Sequence, residues 1–162
     1  MAVPSYEDAR RIVHSDRERK IASAVGAAWG DWETCPERGK YSRWPRTRAN
    51  MVFERVADRL IEQFAGDAGV RFVFMDETIK IVLDELIVLR VKKANALGLG
   101  GNVQTQAVLD FVDAQPDIPG LDGLKKLEVV YVLNELQTEI RSVVVQARDG
   151  DMKLYSYPNR HR

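Results

Sequence analysis

The stretch VRFVFMDETIKIVLDELIVLRVKK, residues 70–93, decides the fold of this chain. Its β-branched and aromatic residues form apolar runs at 70–75, 78–83 and 86–93, and such runs are typical of β-strands. Asp84 and Glu85 lie between the second and third runs and are typical of a turn. The stretch therefore predicts three strands that pair antiparallel.

The sheet is expected to continue beyond residue 93. A glycine-rich connection leads to a predicted short helix at 105–112, which cannot continue into the prolines and glycines that follow. Three further strands are predicted, at 126–134, 139–147 and 153–157. Asp149 and Gly150 suit a tight hairpin turn between the last two strands.

The chain before residue 66 has helical periodicity instead. Ser5 and Ser15 are expected to cap helices, and the second of these helices runs to about Glu33. Its apolar stripe consists of Ile21, Ala24, Val25, Ala28 and Trp32. A longer helix is expected to end at Gly66, and its apolar positions are Ala49, Val52, Phe53, Val56, Ala57, Leu60 and Phe64.

These patterns predict an α+β fold, with N-terminal helices packed on a mostly antiparallel sheet of about six strands and one short helix between strands three and four. With 162 residues and 45% apolar composition, the chain is long enough for one core. We expect a single domain over 1–162. It would contain a helical part at 1–66, with a basic loop at 36–48, and a sheet part at 70–157.

The balance of 24 cations and 24 acids leaves no net charge that would hold nucleic acid or an anionic membrane. A local patch would have to do so. The single cysteine, Cys35, and the lack of an apolar signal segment or membrane-spanning run favour the cytoplasm, without membrane association.

Catalytic chemistry has few candidate residues in this chain. His14, His161 and Cys35 cannot supply a zinc-ligand pattern or a nucleophile with its base, so neither a metal site nor a cofactor is expected. The order of helix, three strands, helix and strand is similar to the core of PD-(D/E)xK nucleases. Asp84 has a plausible place there, but Arg90 stands where the acid of an ExK motif would precede Lys92. A relative that binds without cutting remains an alternative.

A glycine-rich segment, GLGGN at 98–102, follows Lys92 and Lys93 and precedes the predicted helix. Backbone N–H groups in such a place can bind phosphate. The candidate residues of this site are Lys92, Lys93, Gly98, Gly100, Gly101, Asn102, Gln104 and Gln106. The alternative is a flexible connector in which Asn102 caps the helix.

The basic loop contains RGKYSRWPRTR at 38–48, with five cations, two aromatic residues and no acid. Its candidate partner-binding or phosphate-binding residues are Lys40, Tyr41, Arg43, Trp44, Arg46 and Arg48. Arg46 and Arg48 fall at the start of the longer helix, where the helix dipole disfavours a cation. An acidic partner surface, a phosphate backbone or a nucleotide would account for them; a solvated connector is the alternative.

The segments RTRANMVFERV, at 46–56, and RVKKANALGLGGNVQTQAVLDFVDAQPDIPGLDGLKKLEVVYVLNELQTEIRSVVVQARDG, at 90–150, resemble a largely uncharacterised family of bacterial and prophage proteins. The resemblance implies a gene beside one for an ImmA/IrrE-type, metallopeptidase-like protein, in a proposed toxin–antitoxin pair. It supplies no catalytic residues. It draws attention to Asn50 besides the cations, Asn102, Gln104 and Gln106.

Two functions therefore remain open at the level of sequence. The first is the growth-inhibiting member of a phage or prophage toxin–antitoxin or defence pair, neutralised by an antitoxin-like protein of the ImmA/IrrE type. The second is a non-catalytic nucleic-acid-binding or nucleotide-binding protein on a degenerate PD-(D/E)xK-like fold. Both would use the same cations.

Overall fold

The computed structural model describes residues 2–41, 45–75, 78–101 and 120–159. Four helices come first in the described chain: α1 (Tyr6–Ile12), α2 (Ser15–Glu33), α3 (Arg38–Tyr41) and α4 (Pro45–Phe64). Six strands follow: β1 (Val70–Met75), β2 (Thr78–Leu83), β3 (Ile87–Lys93), β4 (Lys125–Leu133), β5 (Ile140–Asp149) and β6 (Met152–Pro158). The predicted α+β fold is confirmed; the helix expected at 105–112 lies outside the described residues.

The six strands form one sheet in the order β1-β2-β3-β4-β5-β6. Every neighbouring pair is antiparallel except β3 and β4, which are parallel. A parallel pair requires a long connection, and here it is the chain between Lys93 and Lys125. The sheet is therefore mostly antiparallel, as predicted.

The second and third strands separate along their length. β2 pairs with β3 only from Ile81 to Leu83, opposite 87–89, whereas β3 continues to pair with β4 as far as Lys93. Among the described strands, residues 90–93 of β3 thus have a neighbour on one side only. On the other side, the Lys93 carbonyl accepts the Gly101 N–H at 3.1 Å.

Capping side chains mark the starts of α1 and α2. The Asp8 N–H donates to Ser5 Oγ at 3.1 Å, which confirms Ser5 as the cap of α1. The prediction that Ser15 caps α2 is wrong by one residue, because Ser15 is already helical and the His14 ring nitrogen accepts the Arg17 N–H. Either side chain can satisfy an N–H group of the first turn that has no acceptor within the helix.

The hydrophobic core lies between the helices and one face of the sheet. The apolar stripe of α4 is buried at Val52, Val56, Leu60 and Phe64, while Phe53 is only partly buried. The sheet contributes the following core side chains: Ile81, Leu83, Ile87, Leu89, Val91, Leu127, Val129, Tyr131, Val143, Val145, Ala147 and Tyr157. Helix α2 supplies Ile21, Ala24, Val25 and Ala28 to the same cluster, as its stripe predicted.

A buried arginine joins α2 to the sheet. The Arg17 guanidinium donates to Asp67 Oδ2 at 3.0 Å and to Asp84 Oδ1 at 2.7 Å. It also donates to the Ile12 carbonyl at 3.0 Å. Asp84 lies in the β2–β3 turn, where it and Glu85 have φ values of 52° and 53°. Arg17 thereby holds the turn and the loop before β1 against the start of α2.

Replacing Leu60 with Ala is expected to lower the free energy of unfolding by about 2–5 kcal/mol, because the Leu60 side chain of α4 is fully buried in the core. Ile61→Ala is the matched control, since Ile61 is partly exposed on the same helix. Urea unfolding measures both. A loss below about 0.5 kcal/mol for Leu60→Ala, the range of surface sites, would contradict the core assignment.

Asp84→Asn is expected to lower the free energy of unfolding at pH 7 by about 1 kcal/mol, because it removes a partly solvent-screened ion pair with Arg17. Asn tolerates the positive φ of this position, so the turn itself is preserved. The hydrogen bond from Arg17 lowers the pKa of Asp84 below its ordinary value of 3.8.

Because the pKa of Asp84 is lowered in the folded state, the stability difference between wild type and Asp84→Asn depends on pH. The stabilisation is fully present above the unfolded-state pKa of 3.8 and is lost as the pH falls through the folded-state pKa. The difference between wild type and Asp84→Asn should therefore shrink below about pH 4. A difference that stays constant from pH 7 to pH 3 would show that the charge of Asp84 contributes nothing.

Candidate functional site

The predicted basic loop is largely helical. Helix α4 begins at Pro45, because proline lacks an N–H and suits a first helical turn. Arg46 and Arg48 therefore lie in the first turn of α4, as predicted. Arg43, Trp44 and the Tyr41 side chain lie outside the described residues.

The start of α4 forms one wall of a groove of about 330 Å³. We call it the cationic groove and define it by Trp29, Trp32 and Glu33 of α2, Arg38 of α3, Pro45 and Arg48 of α4, and residues 136–138 of the β4–β5 turn. Trp29 and Trp32 expose only 8% and 4% of their surface. Their rings form the floor of the groove, and the two arginines lie on its helical side.

Arg48 bridges the helical wall and the turn. Its guanidinium donates to the Gln137 carbonyl at 3.3 Å and to the Gln137 side-chain oxygen. The same guanidinium lies 5.8 Å from the centre of the Trp29 ring, within cation–π range. Trp29 in turn donates its indole N–H to the Thr138 carbonyl at 3.3 Å. These contacts fix the width of the groove.

The β4–β5 turn is held in shape by one side chain. Asn134 Oδ1 accepts the N–H groups of Thr138 at 2.7 Å and Glu139 at 3.2 Å, and its amide donates to Thr138 Oγ1 at 2.8 Å. The turn presents Leu136 at the rim of the groove with 81% of its surface exposed. An ordered turn thus displays an apolar side chain next to two cations.

The arginines of the groove differ from most others in the chain. Arg55 and Arg59 of α4 both pair with Asp31 of α2, at 3.0 and 2.6 Å. Within the part of the chain that the structure describes, no carboxylate pairs with Arg38 or Arg48. Arg38 donates only to the Glu33 backbone carbonyl, at 3.2 Å. Glu33 also lines the groove, so the two arginines leave it with an excess of one positive charge and with guanidinium groups that no carboxylate of the described chain binds.

Two lysines at the end of β3 extend this charge along α4. Burial, and then the nearby Arg48, lower the pKa of Lys93. Lys92 Nζ lies 4.4 Å from the centre of the Phe53 ring. Burial and the charge of Arg90 lower the pKa of Lys92 to about 8. The structure thus brings Lys92 and Lys93 beside the helix that carries Arg48, a proximity that the sequence could not establish.

The glycine-rich segment does not present a phosphate cradle. The N–H groups of Leu97 and Leu99 donate to Asn95 Oδ1, and that of Gly98 donates to the Asn95 carbonyl. The Gly100 N–H donates to Glu128 Oε2 at 3.2 Å, and the Gly101 N–H to the Lys93 carbonyl at 3.1 Å. These bonds favour the connector. Asn102, Gln104 and Gln106 lie outside the described residues.

A buried ion-pair network occupies the place of the ExK motif. Arg90 of β3 donates to Glu128 of β4, its cross-strand neighbour, with Nε at 2.9 Å from Oε1. Gln146 and Arg148 of β5 also donate to Glu128, at 2.7 and 3.5 Å. Burial alone would raise the pKa of Glu128, but these donors hold it below its usual value. Arg90 therefore has a structural role in place of a metal-binding acid.

In the described ranges, no three His, Cys, Asp or Glu side chains lie close enough together to hold a metal ion. Asp84, the candidate nuclease acid, binds Arg17 instead. Within those same ranges, no helix combines the length and apolar character that crossing a membrane requires.

The cationic groove combines predicted and unpredicted residues. Arg48 was predicted, whereas Lys40 instead pairs with Glu37 at 3.2 Å on the surface, and Arg46 is exposed outside the groove. Trp29 and Arg38 were missed. The spacing of Trp29 and Trp32, about one helical turn apart, could have predicted that the two rings lie on the same face of α2 and line one surface together. Residues 136–138 carried no signal, because they are far from the other walls in sequence.

Comparison with known protein families, curated proteins and solved structures finds no match to this chain. The resemblance to a prophage family, and the gene neighbourhood that it implies, therefore stay predictions.

Replacing Lys92 with Met is expected to raise the free energy of unfolding at pH 7 by about 1 kcal/mol, a value discounted because Lys92 is only half-buried. The folded state carries the cost of a partly buried cation below its pKa of about 8. That cost disappears as the pH rises from about 8 to 10.5, the ordinary pKa of lysine.

The extra free energy of unfolding of Lys92→Met over wild type should accordingly decrease between pH 8 and pH 10.5. Urea unfolding at each pH measures it. Lys125→Met, which removes an exposed lysine, is the matched control. If Lys92→Met is less stable than wild type at pH 7, the lysine stabilises the fold, and its retention needs no functional explanation.

Proposed function

We propose that this chain is a non-catalytic protein-binding module that takes an acidic segment of a partner protein into the cationic groove. One observation carries the proposal: Arg38 and Arg48 have no carboxylate partner in the described chain, and they flank two buried tryptophans beside the exposed Leu136. Arginine is among the side chains enriched where protein interfaces derive most of their binding energy. A carboxylate on the arginines and an apolar side chain against Leu136 would satisfy both features.

A protein partner is favoured over nucleic acid by the burial of the tryptophans. Proteins that bind single strands stack bases on the faces of aromatic rings. Trp29 and Trp32 leave less than a tenth of their surface accessible, so neither ring offers a face to a base. The backbone N–H groups of 97–101 are also used within the protein, so this segment does not offer them to a phosphate.

The partner that we propose is an antitoxin-like protein of the ImmA/IrrE type, and the chain is then the growth-inhibiting member of the pair. Support for this assignment comes from the family resemblance of 46–56 and 90–150, since those segments contain Arg48 and the β4–β5 turn of the groove. The partner would cover the groove with acidic and apolar side chains. Covering it would silence the chain.

The test is expression of the chain in bacteria with and without the protein encoded beside its gene. We expect growth inhibition by the chain alone, relief on co-expression, and co-purification of the two proteins. The double variant Arg38→Gln/Arg48→Gln should weaken the complex at least about tenfold, because each arginine loses a charged hydrogen bond to the partner. Isothermal titration calorimetry measures the affinity.

The matched control is Arg11→Gln/Arg19→Gln, which removes the same charge from exposed arginines that pair locally with Asp8 and Asp16. Its affinity should equal that of wild type, and both double variants should melt within a few degrees of wild type. If the groove variant keeps full affinity, the partner binds elsewhere. If a fluorescent single-stranded RNA or a nucleotide binds the chain through Arg48 instead, the nucleic-acid interpretation replaces this one.

A further inference from the structure

The two edge strands of the sheet differ in how they are protected. β6 contains Lys153 and Pro158 and faces a bulge in β5 at Ala147 and Arg148. The Tyr155 hydroxyl also donates to the Pro4 carbonyl of the N-terminal segment, at 2.8 Å. Lysine, proline, bulges and covering segments are the features by which proteins prevent pairing at sheet edges.

The opposite edge, β1, lacks these features. Its sequence VRFVFM contains one charge, Arg71, and the Arg71 guanidinium already binds both carboxylate oxygens of Glu85. β1 pairs with β2 through six residues without a bulge. Phe74 exposes 68% of its surface, and no described strand lies beyond β1. This strand is therefore a regular, apolar and open edge.

The register shows which backbone groups point outward. The Asp84 N–H donates to the Gly69 carbonyl at 2.7 Å, so Gly69 and Asp84 form a hydrogen-bonded pair. In an antiparallel ladder such pairs recur at every second residue, and the residues between them direct their N–H and C=O groups away from the partner. The backbone N–H and C=O groups of Val70, Phe72 and Phe74 thus point away from β2. Consistent with this direction, the Val70 N–H donates to the Asp67 carbonyl at 3.1 Å and not to β2.

We infer that β1 pairs antiparallel with β1 of a second copy of this chain, about a two-fold axis at Phe72. In this register Phe72 lies opposite Phe72 of the copy, and Val70 lies opposite Phe74 of the copy. The N–H groups of Phe72 and Phe74 would donate to the carbonyls of Phe72 and Val70 of the copy, while the Val70 N–H keeps its bond to the Asp67 carbonyl. A two-fold interface requires a self-complementary surface, and the β1 edge has that property.

The side chains agree with this register. Val70, Phe72 and Phe74 pair within the chain with Leu83, Ile81 and Ile79, all of which are buried. They therefore project from the same face of the sheet. Phe74, so exposed in the single chain, would pack against Val70 of the copy. Arg71 would lie opposite Val73 of the copy, so no like charges face each other across the interface.

Sedimentation velocity of the full chain over a hundredfold range of concentration tests the inference. We expect a monomer–dimer equilibrium. Phe74→Lys should raise the dissociation constant at least about tenfold, because it removes an apolar cross-strand contact at two symmetric positions. The matched control is Leu154→Lys on the other edge strand, where Leu154 is 44% exposed, and it should dimerise as wild type does. A wild type that stays monomeric, or equal constants for both variants, would overturn the inference.

A second experiment tests the register and does not depend on the stability of the lysine variant. In a Cys35→Ser background, Val70→Cys/Phe74→Cys should form a disulfide-linked dimer on mild oxidation, because hydrogen-bonded pairs have Cα atoms about 5.5 Å apart. The two cysteines of one chain are ~13 Å apart along the strand and cannot join each other. Phe74→Cys alone, whose copies are not opposite each other, is the control. Equal cross-linking of double and single variants would rule out the axis at Phe72.

Discussion

Burial of the apolar stripe of α4 on the sheet is the interaction on which the rest of the structure depends. The buried residues Val52, Val56, Leu60 and Phe64 recur every four positions, so one face of the whole helix is buried in the core, together with α2 and the sheet. The end of α4 is thereby fixed near β1, where Phe64 packs edge-to-face against Phe72. Its start is fixed near the β4–β5 turn. The cationic groove exists because the helix cannot shift without exposing this stripe.

The pairing of α4 with α2 fixes the second wall of the groove. Asp31 of α2 accepts hydrogen bonds from both Arg55 and Arg59, and Arg59 contributes most to lowering the pKa of Asp31 to about 2. This pairing places Trp29 and Trp32, on the same helix as Asp31, beside the first turn of α4. The arginines in the middle of α4 thus hold the two helices together, whereas Arg48, near the start of α4, donates to Gln137 of the β4–β5 turn.

Local features of this fold were predictable and long-range ones were not. The strands at 70–93 and the stripes of α2 and α4 follow from periodicity, which depends on neighbouring residues alone. The position of Arg48 at a helix start followed in the same way. The role of Arg17, the parallel pairing of β3 with β4, and the meeting of Arg48 with Gln137 depend on tertiary contacts between segments far apart in sequence.

The central claim, that the cationic groove receives an acidic segment, is tested most directly by nuclear magnetic resonance. A ¹⁵N-labelled chain would be titrated with a synthetic peptide of glutamate and leucine, and separately with one of lysine and leucine. We expect saturable shifts of the Trp29 and Trp32 indole signals and of the amides of 136–138 with the acidic peptide only, and we expect salt to weaken them. Shifts that are absent, that are equal for both peptides, or that map to residues away from the groove would contradict the claim.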